Sequence, residues 1–204
     1  MTNIDWTGFT VASIAVVLAP GPGSVFVAKT AGAAGTRAGH MAMFGIMLGD
    51  TCLIILSLLG ISALFTTHPS LFHTVRLIGA AYLVFLGLQS IVAGKKDTTT
   101  VHQESVLSLR RALTITLLNP KAVFFFMAFF PVFIESAHGG LLVPYICMTT
   151  VFMAISCTYL SILSHISSRV GPAFQQCRTI QSIAQKWCGY LFIGFGIKMA
   201  VSSR

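Results

Sequence analysis

Charge is what this sequence has least of. Five Asp and Glu and thirteen Lys and Arg make up only 9% of 204 residues, against about 25% in ordinary soluble domains. So few charges cannot coat a globule in water. With 55% of residues apolar and a mean hydropathy of +0.84, the fitting solvent is lipid. Paired cysteines are missing too: Cys52, Cys147, Cys157, Cys177 and Cys188 form no C-x-x-C pair and are odd in number. That excludes a disulfide framework or a zinc knuckle and leaves small apolar packers. Met1 to Asp5 holds no Lys or Arg, so the apolar run that follows lacks the positive lead of a secretory signal and reads as a retained helix. No basic amphipathic stripe accompanies the net charge of +8, which argues against a nucleic-acid partner and for membrane orientation. None of the six histidines has a second ligand at i, i+4, and His68, His73 and His138 read as turn residues; no metal and no cofactor are expected.

What the chain does have is apolar runs. A hydrocarbon core of about 30 Å takes about 20 apolar residues in helix. Six runs qualify: Trp6 to Ala28, Met41 to Leu64, Leu71 to Ala93, Ala112 to Phe133, Leu141 to Ser164, and Ala184 to Val201. The last is short and holds Lys198, whose stem can snorkel. Nine basic residues (Lys29, Arg37, Lys95, Lys96, Arg110, Arg111, Arg169, Arg178 and Lys186) fall in alternate gaps. Three (Arg76, Lys198 and Arg204) fall on the other side. The excess marks the cytoplasmic face and puts both termini outside. The segment 170–183 reads as lying along the cytoplasmic surface.

Self-comparison divides the chain into two halves. Pro20-Gly21-Pro22 interrupts the first run and Asn119-Pro120-Lys121 the fourth, about one hundred residues on; similar offsets relate Cys52 to Cys157 and Tyr82-Leu83 to Tyr190-Leu191. The reading is an all-α integral membrane protein of six transmembrane helices. Residues 1–94 and 112–204 form two inverted three-helix repeats, 95–111 is a cytoplasmic linker, and helices 1 and 4 are broken. Each proline removes an N–H and clashes with the carbonyl four residues back, freeing the oxygens of Val16, Leu18 and Thr116. Irregular backbone at membrane depth is tolerated only inside protein or along a wet cavity, so both breaks should face a central pathway.

Two charges lie in the wrong solvent. Asp50 stands ten residues into the second run, a rise of roughly 15 Å, and Lys121 lies at similar depth in the fourth. Together with the helix starts they suit a zwitterion: Asp50 meets an ammonium group or a proton, Lys121 and the Asn119-capped helix meet a carboxylate. The candidate substrate-binding residues are Pro20, Gly21, Pro22, Ser24, Asp50, Asn119, Pro120 and Lys121, with Asp50 also coupling protons. A buried ion pair that only sets helix register is the bland alternative. Gly45, Gly49, Ala42 and Cys52 form a stripe for close helix approach, as do Gly79, Leu83 and Gly87. Tyr82 reads as packing. Thr149, Ser156 and Tyr159 are lesser polar candidates, and Phe124 to Phe126 with Phe129 and Phe130 read as lipid-facing bulk.

The motifs Pro20-Gly21-Pro22, the glycine ladder to Gly49-Asp50, Gly79-x-x-Tyr82-Leu83 with Gly87, and Leu118-Asn119-Pro120-Lys121 with Phe125 and Pro131 resemble the lysine exporter family (the LysE/RhtB group) of bacterial amino-acid efflux proteins. The resemblance covers almost the whole chain. It implies an inner-membrane exporter of amino acids or close derivatives, driven by the proton gradient, nearer in look to exporters of leucine or of homoserine and threonine. The expected partners are an amino-acid substrate, protons and the lipid bilayer, with a homo-oligomer open. The fifth run departs from some members in having Phe152, Met153 and Ser156 where they carry an acidic residue. A small-ion or metal exporter of similar architecture is the main alternative, but His or carboxylate clusters inside the runs are missing. An intramembrane protease would need two membrane aspartates or a Ser and His pair, and no sequence feature joins Ser24 to His165.

Overall fold

The computed structural model describes residues 4–67, 105–133 and 142–170, with separate positions between 77 and 91 and between 186 and 197. Helix α1 (Trp6–Leu18) begins where the Asp5 carboxylate accepts the Gly8 N–H at 2.8 Å, serving one of the open amides of a first turn. It ends because Pro20 offers no N–H and forces the preceding Ala19 into extended backbone. Helix resumes at Pro22, where a missing N–H costs nothing, and runs to Thr67 with one interruption. That is Gly35, at φ 83° and ψ 173°, a conformation only glycine adopts readily. It splits the run into α2 (22–34) and α3 (36–67). The stretch from Lys29 to His40, expected as a gap between spans, is therefore helix on both sides of a single glycine.

Helix α4 (Ser105–Leu117) begins upstream of the expected Ala112 start, and α5 (Pro120–Phe124) follows it with proline again at the first helical position. The chain then widens into a π turn, Phe125–Phe129, and tightens into a 3-10 turn, Phe130–Phe133. Pro131 accounts for the change, since its ring excludes the ordinary bond to Met127 and the Phe130 N–H reaches back five residues to the Phe125 carbonyl. The Phe126 carbonyl is thereby orphaned, because its partner in that register is Pro131. The Ser57 hydroxyl donates to it at 2.6 Å and lies 3.2 Å from the Tyr145 hydroxyl. Helix α6 (Leu142–Val170) supplies that tyrosine.

The Pro22–Thr67 run packs along both α4 and α6. Gly45 lies against the Leu109 carbonyl and Ala112, and Gly49 against Thr116, too close for any side chain to be added without movement. Ala42 is fully buried beside them. Cys52 does not belong to that stripe: it is exposed, one turn beyond the Gly49 contact with Thr116 and close to where α4 ends at Leu117. Cys147 is exposed as well, whereas Cys157 packs on the second of two cores. The first core joins Phe9, Val16, Leu53, Phe125, Phe126, Phe130, Tyr145 and Phe152, and the second joins Phe26, Val27, Met43, Ile46, Ala112 and Leu160.

The phenylalanines correct a sequence expectation. Phe125, Phe126 and Phe130 are at most 1% exposed and form edge-to-face contacts, Phe9 with Phe130 at 5.3 Å and Phe126 with Phe152 at 5.0 Å. The π turn brings successive rings inward, which an even apolar run does not reveal. Outward from α3 and α6 point Phe44, Leu48, Ile55, Leu59, Val143, Ile146 and Ile162, while Asp50, Ser57, Ser108, Thr116, Ser156 and Ser164 are buried. Large apolar side chains outside, with polar ones among the apolar core, depart from the usual soluble pattern. Among the described residues, two helices (Pro22–Gly60 and Leu142–Val170) are long and apolar enough to cross a membrane. Of the expected third and sixth runs, Gly87 meets Gly189 and Ile193, and Gly196 meets Ala80 and Val84. Gly79, Tyr82, Leu83, Lys95, Lys96, Leu191, Lys198, His68, His73, His138 and residues 171–183 lie outside the described residues.

Candidate functional site

Both chain interruptions meet between the two cores. At the first, the Gly21 N–H donates to Ser24 Oγ at 3.0 Å while the Ser24 hydroxyl donates to the Gly21 carbonyl at 3.1 Å, so the start of α2 closes on itself. At the second, Asn119 Oδ1 accepts the Lys121 N–H at 3.1 Å and caps α5. The Asn119 N–H also serves the Thr116 carbonyl at 3.1 Å, one of the oxygens left open by Pro120.

Lys121 links the two. Its Nζ donates to the carbonyls of Val16 at 2.7 Å and Ala19 at 2.8 Å. An ammonium group therefore sits on the C-terminal end of α1, where Pro20 leaves the Val16 oxygen without its helical donor and the helix dipole is negative. These short bonds are charge-assisted and stronger than neutral ones. The Lys121 charge also acts on the Asp50 carboxyl, which is buried on α3. In the low dielectric of such a place the two charges feel each other more than they would in water.

These groups line a cleft of about 80 Å³. Gly21, Ser24, Asp50, Asn119 and Lys121 are in its wall. Pro20, Pro22 and Pro120 are not, and act by shaping the backbone that forms it. Of the lesser candidates, Ser156 and Tyr159 line the cleft; Thr149 stands outside it and donates to its own Tyr145 carbonyl at 2.6 Å. Sequence reasoning missed the apolar wall, made of Ile46, Phe125, Phe126, Phe152 and Leu160, because in a chain this apolar no pattern separates lining from packing. It also missed the donor for the Val16 carbonyl, more than one hundred residues away.

Ser24 and His165 are not brought together. His165 lies on the seam of α3 and α6, its Nδ1 3.0 Å from the Ser161 carbonyl and its ring 5.2 Å from that of His40, outside the cleft that holds Ser24. Among the described residues no group of three or more His, Cys, Asp or Glu is placed to hold a metal ion. The arrangement offers one fixed cation, one carboxylate, two backbone oxygens and a wall of aromatic and aliphatic side chains. Chemically, that set can bind and orient a small amphiphilic molecule.

Comparison with known proteins adds an independent finding. The model of the family described as LysE type translocator matches residues 14–203. An uncharacterized membrane protein of Pseudomonas aeruginosa is 32% identical over 97% of this chain and 95% of its own length. A leucine efflux protein of Salmonella typhimurium is 34% identical over 96% of this chain and 93% of its own, and one of Klebsiella pneumoniae is 30% identical over 97% and 95%. No solved structure matches the chain.

Proposed function

The chain belongs to the family of LysE type translocators, and from that premise we propose that it is an exporter of neutral, apolar amino acids such as leucine, working by proton antiport. The carrying observation is the cleft itself. Asp50 and Lys121 present opposite charges in one small space whose wall also includes the apolar side chains of Ile46, Phe125, Phe126, Phe152 and Leu160. An α-amino acid with a branched apolar side chain carries the complementary features: two opposite charges a few ångström apart and a body that gains by leaving water. Two relatives named as leucine efflux proteins support the same substrate class. Asp50 is the proton carrier in this reading, since a buried carboxylate beside a lysine can change charge as the partner arrives or leaves.

The same reading takes the interruptions at 19–21 and 118–119 as breaks in the first and fourth of six spans, arranged as two inverted three-helix repeats, in a bacterial inner membrane with both termini periplasmic. Transport is tested with purified protein in vesicles loaded with labelled leucine. Outward flux that rises when protons are supplied from the opposite side is the expected result. If no amino acid moves and a divalent metal ion does, the proposal is overturned. Orientation is tested separately by impermeant thiol labelling of single cysteines in a cysteine-free background. Gly139→Cys should react from outside and Thr99→Cys should not, and the reverse pattern would invert the topology.

A further inference from the structure

Lys121 is doing the work of an ammonium ligand. Its terminal CH2–NH3+ sits on two backbone oxygens, Val16 at 2.7 Å and Ala19 at 2.8 Å, beside a buried aspartate in whose field it lies. The α-ammonium of an amino acid is the same chemical group with the same donors. Two carbonyls at the end of a helix, with a carboxylate in the same cleft wall, form a cation cradle, and here the protein's own side chain fills it. The cleft that remains, about 80 Å³, is well below the roughly 300–1,000 Å³ of small-molecule sites. Access for a whole amino acid therefore requires something in the wall to withdraw.

We infer that the carbonyls of Val16 and Ala19, with Asp50, are the ammonium subsite of the transported amino acid, and that Lys121 is its resident plug, displaced by substrate. The inference rests on the amino-acid reading above and deepens it. When the substrate ammonium takes the two oxygens, the hydrogen bonds lost by Lys121 are replaced in kind, so the exchange is close to balanced on that side. The released Lys121 ammonium then swings onto the substrate carboxylate, a pair that did not exist before. Only a zwitterion supplies both halves of the exchange. A bare amine would evict Lys121 and bring no carboxylate to receive it, leaving two ammonium groups to share Asp50, and a carboxylate with a blocked nitrogen would leave the carbonyls unserved.

Thermal unfolding of purified protein in detergent separates the possibilities, using leucine, 3-methylbutylamine (leucine without its carboxylate) and N-acetyl-leucine as probes. Wild type should be stabilised by leucine and by neither of the others. Lys121→Ala should be stabilised by 3-methylbutylamine at a concentration at least about tenfold below any that affects wild type, and adding Asp50→Asn should weaken that response. Lys121→Gln keeps amide donors near the carbonyls and serves where the alanine variant does not fold. The inference is overturned if the amine acts equally on wild type and variants, if it acts on neither variant, or if N-acetyl-leucine stabilises wild type as well as leucine does. The two readings fail differently. Leucine without effect on wild type, together with amine binding to Lys121→Ala, removes leucine as substrate and keeps the subsite. Leucine binding to wild type with the amine inert on both variants removes the plug and keeps the export reading.

Discussion

At two of the places where proline leaves a backbone oxygen without its helical donor, a side chain makes the repair, and the two repairs differ in kind. At Phe126, orphaned by Pro131, the repair is a neutral hydroxyl from Ser57 at 2.6 Å, with Tyr145 close by. At Val16, orphaned by Pro20, the repair is the ammonium of Lys121, which takes Ala19 as well. A hydroxyl satisfies a carbonyl at little cost, whereas even a half-buried ammonium gives up part of its hydration, a penalty that good geometry and a counter-charge offset. The cheaper solution was available and is used one site away. The charged donor lines the cleft together with Asp50, whereas the hydroxyl donor, Ser57, is not in its wall, and this contrast is the strongest structural argument that Lys121 does more than complete a helix.

The largest effect should follow from removing that charge. Lys121→Met leaves two carbonyls without their donor, about 1–3 kcal/mol each, and leaves Asp50 without its cation. Leucine efflux per folded molecule should fall about a hundredfold, within the cost of about 2–5 kcal/mol seen when one member of a buried charge pair is truncated. Asp50→Asn comes next. It keeps the size of the side chain and removes its charge, so proton-driven efflux should vanish while leucine exchange at equal pH survives in part, since exchange needs binding and reorientation without net proton movement. Because the two groups interact, the double variant should lose less than the sum of the single losses. Additive losses would separate the two charges and return Lys121 to a purely structural role.

Ser57→Ala tests the other side of the comparison. It removes the donor to Phe126 at a site with no charge, and should lower stability by about 1–3 kcal/mol with efflux per folded molecule unchanged. If this variant loses transport as Lys121→Met does, repair of an orphaned carbonyl is itself the functional requirement and the ammonium carries no special meaning.

What could be read from sequence followed from chemistry that is local. Proline removes its own N–H wherever it stands, so interruptions near residues 20 and 120 could be anticipated, as could the open oxygen of Val16. An aspartate in an apolar run attracts attention in any fold. What could not be read depends on distance or on direction. Lys121 and Val16 are more than one hundred residues apart, as are His40 and His165, and Ser57 finds Phe126 only because Pro131 changes the register. In water the buried face of a helix is its apolar face; in this chain both faces are apolar, so the inward turn of Phe125, Phe126 and Phe130 left no trace in the pattern. The single-residue turn at Gly35 was hidden for the opposite reason, since the polar stretch around it looked like a loop and is helix.

The smallest effect belongs to the caps of the two interruptions, and it sharpens the comparison between them. Asn119 Oδ1 serves one amide, that of Lys121, at 3.1 Å, and loss of such a cap costs about 1 kcal/mol. Ser24 makes a two-way contact with Gly21 at 3.0 and 3.1 Å, a comparable stake. Stability alone should therefore not distinguish Asn119→Ala from Ser24→Ala. Transport should, because Asn119 fixes the backbone of the residue that carries the ammonium, whereas Ser24 ties the start of α2 only to itself. Asn119→Ala should raise the leucine concentration needed for half-maximal efflux several-fold, with Asn119→Asp restoring it through the same cap geometry, and Ser24→Ala should leave it within about twofold. Equal shifts in the two variants would mean that the cleft responds to loosening at either interruption, and that the asymmetry between the breaks is confined to the lysine side chain.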